Sequence, residues 1–402
     1  MSWELKSFNE LGFIGRGKSR HRPRNDESLY GGIFPLIQTG DVKSANLYLT
    51  EYSQTYSQKG LEQSKLWEPN TLCITIAANI ADTTILGIQA CFPDSIIGFV
   101  ANEELCDIRF IKYHFDIVQK QMQMVSQGAT QDNLSLEKLL KFKVPTPPLP
   151  TQKRIASILS AYDELIENNL KRIRLLEETA QNIYKEWFVD FRFPNYENAL
   201  INQEMGLPEG WEVKKISSIV EFKGGFPFKS SEYTESGKYR IVTIKNVGDR
   251  FFDGNNTSGI ENIPDKMKEY CKLQEGNILM SLTGNIGRTC LVYGDNFLLN
   301  QRVVIIKPTY SENSAFCYFL FNTDSIKGLM NNLASGVAQQ NLSPVKLEEQ
   351  LIPLPPWNLM LRYSTATNGI VNQIISLNKQ NQKLKEARDI LLPRLMNRTI
   401  EV

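Results

Sequence analysis

Gly128-Ala129-Thr130-Gln131-Asp132-Asn133-Leu134-Ser135 returns as Gly336-Val337-Ala338-Gln339-Gln340-Asn341-Leu342-Ser343, 208 residues further along the chain. Trp3-Glu4-Leu5-Lys6 returns at that same offset as Trp211-Glu212-Val213-Lys214, and Val144-Pro145-Thr146-Pro147-Pro148 as Ile352-Pro353-Leu354-Pro355-Pro356. The stretches between these segments match poorly. A chain that keeps a frame twice and lets the interiors diverge is a duplicated domain. It suits a molecule that reads two different things in the same way.

Length and composition agree with this division. With 402 residues, 42% of them hydrophobic, two or more domains with proper cores are expected. No run of about 18 apolar residues occurs, and Met1-Ser2-Trp3-Glu4 lacks the basic-then-apolar order of a signal peptide, so the expected address is the cytoplasm. The six cysteines (Cys73, Cys91, Cys106, Cys271, Cys290 and Cys317) contain no C-x-x-C pair and read as reduced core thiols. A net charge of +1 leaves nucleic-acid binding to be decided by clustering.

Within each repeat, short β-branched and aromatic runs read as strands: Phe34-Pro35-Leu36-Ile37, Cys73-Ile74-Thr75-Ile76, Ile241-Val242-Thr243-Ile244 and Arg302-Val303-Val304-Ile305-Ile306. Helices are expected around residues 107 to 124 and 314 to 331, which makes each half a mixed α+β unit. Proline stops follow at Pro145 to Pro150 and Pro353 to Pro356. After the first stop, Ile155, Leu159, Tyr162, Ile166, Asn169, Ile173, Leu176, Ala180, Ile183 and Trp187 step by three and four, which is a heptad seam. From Thr151 to Asp190 this predicts a rod of roughly 60 Å. A weaker seam runs through Tyr363, Thr367, Ile370, Ile374, Leu377, Asn381, Leu384, Arg388, Leu391 and Leu395.

The expected architecture is α+β: two repeated mixed domains, residues 1–149 and 208–356, with long helical spacers at 150–207 and 357–402. A helix-linked duplicate closes most simply through a pseudo-twofold axis, with its helices antiparallel. In that register Asn169 and Asn381, the polar interruptions of the two seams, face each other beside Ile173 and Leu377. An amide opposite an amide can recover hydrogen bonds that an apolar partner leaves unmade.

Gly12-Phe13-Ile14-Gly15-Arg16-Gly17-Lys18-Ser19 spells a phosphate-loop consensus. Its context is wrong, with polar Lys6 to Glu10 before it, Arg20-His21-Arg22-Pro23-Arg24 after it, and no copy in the second half. Phe13 to Gly17 also resembles an F-x-G-x-G methyl-donor motif, but no N-P-P-[FY] or D-P-P-Y partner exists, so the chemistry of an N6-adenine methyltransferase is absent. Arg16, Lys18, Arg20, Arg22 and Arg24 crowd nine residues without an acid. Such a loop grips phosphates or guanine edges, and its plainer reading is a solvated charge run. Lys223, Lys229, Lys245 and Arg250 are the sparser cations of the second half, with Phe226 and Phe228 between them. Gln38, Thr39 and Asn79 in one half, and Asn246, Thr283, Asn285 and Gln301 in the other, offer amides and hydroxyls near strand ends. Taken singly, each reads first as a turn or cap residue and only second as a base reader. Ser135 and Ser343 predict helix N-caps, while Gln131 and Gln339 are candidates to face DNA. No catalytic constellation and no metal-ligand cluster stand out. A nucleotide-driven enzyme and a coiled-coil scaffold without a DNA role remain the alternatives.

Pro147-Pro148-Leu149-Pro150-Thr151-Gln152-Lys153-Arg154-Ile155, Ile183-Tyr184-Lys185-Glu186-Trp187-Phe188-Val189-Asp190-Phe191 and Leu391-Leu392-Pro393-Arg394-Leu395-Met396, together with the repeat, resemble type I restriction-modification specificity subunits over essentially the whole chain. The segment Pro356-Trp357-Asn358-Leu359-Met360-Leu361 departs from the Gln-bearing pattern of Thr151-Gln152-Lys153, which puts the start of the second helix in doubt. The resemblance implies a non-catalytic reader whose two target-recognition domains each read half of a bipartite double-stranded DNA sequence. It also implies two methyltransferase subunits and a restriction translocase as partners. S-adenosylmethionine, ATP and Mg2+ would belong to those partners, with no cofactor in this chain.

Overall fold

A computed structural model of the chain describes residues 3–77, 80–127, 134–334 and 341–402. The chain divides into two compact units, one of residues 1–168 with 382–402 and the other of residues 169–381. Each long helix is shared between them, so the helices are built into the two units and are not a separate body.

Both units begin in the same way. Glu4–Lys6 pairs antiparallel with Val144–Thr146, and Glu212–Lys215 with Leu351–Leu354, placing Leu5 opposite Pro145 and Val213 opposite Pro353. Two signatures about 140 residues apart in sequence are therefore partners in one ribbon. Proline is tolerated there because an edge strand has positions whose N–H is not needed. The opening tryptophan then meets the far end of a long helix. Trp3 lies under the Arg398 guanidinium at 4.9 Å, and Trp211 packs edge-on against Phe191 at 5.1 Å and beside Phe188. The W-F-V-D-F string is thus an anchor for the second opening strand.

Beyond each ribbon stand four antiparallel strands of a core sheet, to which the first unit adds Tyr48–Leu49, parallel to Thr83–Leu86. In the first unit Gly12–Arg16, Ile96–Ala101, Thr71–Thr75 and Thr83–Leu86 lie side by side, and in the second Val220–Gly224, Val303–Pro308, Ile278–Ser281 and Thr289–Leu291 repeat that order. Val303, Val304 and Ile306 are fully buried, as a central strand covered on both faces requires. Helix Ile108–Gln127 follows in the first unit. The stretch expected as one helix in the second unit breaks into Ser314–Phe321 and Asp324–Leu333. Thr323 lies at the break, where its hydroxyl caps Ile326 N and starts a new helix.

The long helices run Leu149–Phe188 and Trp357–Met396, 40 residues each. The first starts two residues before its expected position, since Pro150 fits the first turn of a helix, where its missing N–H is no loss. In the second unit Asn169 Nδ2 donates to Asn381 Oδ1 at 2.9 Å, and Tyr363 Oη donates to Ala180 O at 2.8 Å. One number rises as its partner falls, so the segments are antiparallel, and Ile173 and Leu377 are buried in the same core. The amide pair makes a single bond, because Asn381 Nδ2 has no partner among the described residues. In the first unit Ile155 and Leu159 share a core with Leu392, Leu395 and Met396. There the buried Asp163 carboxylate takes a hydrogen bond from Tyr113 Oη at 2.5 Å and an ion pair from Arg388. Arg388 stands on the expected seam, but its partner Asp163 does not.

The two helix starts differ in a way the sequence departure explains. Gln152 is buried, with Oε1 accepting from Asp107 N at 3.1 Å and Nε2 donating to Leu105 O and Pro147 O. Met360 occupies its place in the second unit and borders a cleft of about 340 Å3 with Tyr310, Asn313, Pro356 and Trp357. The helix nevertheless begins there, tied instead by the Ser364 hydroxyl, which accepts from Phe316 N at 3.1 Å.

Candidate nucleic-acid interface

The core sheets bring a set of loops to one edge of each unit. In the second unit Gly224 lies opposite Val304, and Val303 opposite Ser281, so the segments following Gly224 and Ser281 and the segment preceding Val303 emerge together. Backbone bonds join them: Gln301 N to Phe226 O at 3.1 Å, Leu282 N to Arg302 O at 3.1 Å, and Leu342 N to Leu282 O at 2.9 Å. This edge carries the exposed Gln301, Arg302, Asn285 and Arg288. In the orientation that satisfies both groups, the Asn285 oxygen accepts from the Arg288 guanidinium at 3.1 Å. Ile244 approaches Gly284, which brings the exposed Lys245 to the same neighbourhood.

The first unit repeats this edge. Arg16 lies opposite Ile97 and Thr75 opposite Ile96, and the joining bonds are Gly17 N to Ile96 O at 2.9 Å, Ile76 N to Ser95 O at 2.9 Å and Leu134 N to Ile76 O at 3.1 Å. The basic loop leaves from here. Gly17 is required, since a Cβ there would stand 2.3 Å from the carbonyl oxygens of Phe92 and Pro93. The loop is then held down by its backbone, with Lys18 N bonded to Phe92 O and the amides of Arg20 and His21 both donating to Gln63 Oε1. That leaves the side chains of Arg16, Lys18, Arg20, Arg22 and Arg24 at the surface. Arg24 pairs with Asp94 at 2.9 Å, Arg16 Nε donates to Asp94 O, and Arg22 donates to Ser19 O and His21 O. Beside them Lys65 lies over the Trp67 ring at 3.5 Å. Burial, and then the charge of Lys18, lower its pKa below that of an ordinary lysine. Cations outnumber the one paired carboxylate, Asp94, among these side chains, a balance suited to a polyanion.

Comparison with known proteins agrees with this construction. The family described as "Type I restriction modification DNA specificity domain" matches residues 2–178 and 208–359, once for each repeat. The chain belongs to this family. The MjaIX specificity subunit of Methanocaldococcus jannaschii is 24% identical over 98% of this chain and 92% of its own length. The HindI specificity subunit of Haemophilus influenzae is 21% identical over 96% and 98%. The crystal structure of a type I system S subunit from M. genitalium superposes with a TM-score of 0.56 at 17% identity, covering 98% and 96% of the two chains. It shares the fold.

Within a specificity-domain protein the residues named from sequence separate into three groups. Gathered at the edge are the five cations of the basic loop, and Asn285 and Gln301 in the other half. Lys229 is exposed beyond Phe228, and Lys223 is half-buried in an ion pair with Glu221. A second group is committed to structure. Asn246 is 1% exposed, its oxygen accepting from Thr243 N and its Nδ2 donating to Asp253 O and Asn256 O, so it fastens a loop and has no amide left for a base. Gln38 is the residue before helix Thr39–Ser44 and bonds Gln54, with Thr39 half-buried as the first helical residue. Thr283 bridges Asn341 through its backbone alone, and its buried hydroxyl has no partner among the described residues. Asn79, Gln131 and Gln339 lie outside the described residues. Ser135 and Ser343 do cap their helices, accepting from Lys138 N and Lys346 N.

Sequence alone does not single out Arg288, Arg302 and Lys65. Arg302 adjoins Gln301 immediately before a strand of four buried β-branched residues, and a cation at such a strand start is the signal that marks it. The phosphate-loop spelling is resolved by pairing: Gly12–Arg16 is a strand opposite Ile97 to Ala101, and the next helical turn, Glu27–Leu29, begins well beyond Ser19. A consensus whose first five residues form a sheet strand cannot wrap a phosphate. Among the described residues no helix is long and apolar enough to cross a membrane, and no group of three potential metal ligands occurs.

Proposed function

We propose that this chain is the non-catalytic, sequence-reading subunit of a cytoplasmic DNA modification complex. Each unit reads one half of a bipartite double-stranded target, and the long helices set the spacing between the halves. Methyltransferase subunits bound to the chain would methylate adenine at N6 within that target, and a restriction translocase would join them. S-adenosylmethionine, ATP and Mg2+ would be held by those partners. The observation that carries this reading is the repeated edge: Ile76 N to Ser95 O and Leu134 N to Ile76 O in the first unit match Leu282 N to Arg302 O and Leu342 N to Leu282 O in the second, while the side chains differ from one unit to the other. Positioning contacts are thereby conserved within the molecule, and the groups free to face bases are not.

Lys18 tests this against the nucleotide-binding alternative. In the complex with its methyltransferase subunits, Lys18→Ala is expected to weaken DNA binding uniformly across sequences and to reduce the slope of log affinity against log salt by about 1. Fluorescence anisotropy over a salt series measures both. Saturable micromolar ATP binding by the purified chain, lost in that variant, would contradict the proposal.

A further inference from the structure

Ile33 is a large aliphatic side chain in a strand, and it is 84% exposed, well beyond the other exposed β-branched strand residues Val100 and Val213. It does not dangle from a loose loop. It lies in strand Tyr30–Leu36, which pairs with Gln54–Tyr56, and the register shifts between Tyr30 and Phe34 so that both stand opposite Tyr56. The intervening Gly31-Gly32-Ile33 is a bulge. Gly31 adopts φ +79°, a conformation a side chain would strain, and a Cβ on Gly32 would meet Tyr56 O at 2.4 Å. Two glycines with separate steric reasons hold the bulge in shape, and that shape aims Ile33 into solvent. Bulges of this kind re-aim a side chain at a cost in sheet pairing.

The surroundings say what the side chain meets. Strand Tyr30–Leu36 follows the basic loop by way of the helical turn Glu27–Leu29, and Tyr30 Oη donates to Arg24 O at 2.6 Å, tying the bulge's strand to the last arginine of that loop. The loop is braced from the same side, with Lys59 reaching the Asp26 carboxylate and the Ser28 hydroxyl, and Ser57 Oγ donating to Ser28 O. An aliphatic group held in solvent on a strand that Tyr30 ties to the cation-bearing loop is placed to meet a polyanion drawn to that loop. Duplex DNA has one apolar feature in its major groove, the C5-methyl group of thymine, and aliphatic contact with it distinguishes thymine from the other bases.

We infer that Ile33 is a specificity-determining residue of the first unit, reading the 5-methyl group of a thymine in its half-site. The inference rests on the DNA-reading proposal above and adds a chemical identity to one position of the target.

The test uses the chain in complex with its methyltransferase subunits, once sequencing of methylated bases has defined the motif. Each thymine of the half-site read by the first unit is replaced singly by deoxyuracil, which removes the methyl group and leaves the pairing edge intact. At one position wild-type protein should bind the uracil duplex about fourfold more weakly, the size expected for one buried methyl group. Ile33→Ala should bind both duplexes alike, and Ile33→Val should keep most of the preference. The salt slope and melting temperature should match wild type in both variants, because Ile33 touches neither phosphate nor core. Three results would overturn the inference: a half-site without thymine, a thymine preference unchanged by Ile33→Ala, or an Ile33→Ala complex that loses methyltransferase subunits while keeping its base preferences. Failure of the underlying proposal looks different, since wild-type complex would then show no sequence preference on any duplex.

Discussion

Asp163→Leu is expected to lower the unfolding free energy of the first unit by about 3 kcal/mol, the low end of what removing one member of a buried ion pair costs. Asp163 is 2% exposed and serves two partners, the Tyr113 hydroxyl at 2.5 Å and the Arg388 guanidinium. Leucine leaves a buried phenol without an acceptor and a cation with less compensation. The loss stays at the low end because Arg388 keeps Asp389 at 2.8 Å and its side chain is 24% exposed. Urea denaturation of the full chain measures it, and a loss below about 1 kcal/mol would show that the pair contributes as little as an ordinary surface bridge. The pair also has no counterpart in the repeat. The positions 208 residues away are Val371 and Ala180, so this ion pair belongs to one unit and distinguishes the two helix contacts chemically.

The second large effect is on the target. Inserting one heptad between Asn168 and Asn169, together with a matched heptad between Asn381 and Gln382, lengthens each helix by about 10.5 Å and keeps both seams in phase. Asn169 remains opposite Asn381, and Asp163 opposite Arg388. If the helices set the spacing, the unspecified stretch between the half-sites should grow by about three base pairs, at about 3.4 Å per pair, with both half-site sequences unchanged. Sequencing of methylated adenines in cells carrying the variant reads the motif directly. An unchanged spacer would remove the helices from the role of ruler.

Much of this fold is legible in the chain because duplication supplies an internal control. A 3.5-residue seam is ambiguous once and decisive twice, and the offset of 208 that aligns Trp3 with Trp211 also aligns Leu149 with Trp357, where the long helices begin. Partnership between distant segments is less legible. Nothing local tells that Glu4–Lys6 pairs with Val144–Thr146, since each is a three-residue strand with proline in one of them. Asp163 is not legible in the sequence, because a carboxylate one position off a seam reads as solvated unless the opposing arginine is in view. At the candidate interface, composition located the basic loop but could not sort amides that face outward from those that fasten a turn. Asn246 and Asn285 look alike in sequence. One is enclosed by Thr243, Asp253 and Asn256, and the other stands exposed beside Arg288.

The central claim is that each unit reads its own half-site, and a domain graft tests it most directly. Residues 208 to 356 would be replaced by the matching domain of a relative that methylates a different motif, and the methylated motif of the chimera determined in cells. One half of the motif should change to the relative's sequence while the other half and the spacer length stay as they were. A motif altered in both halves, or in neither, would contradict it.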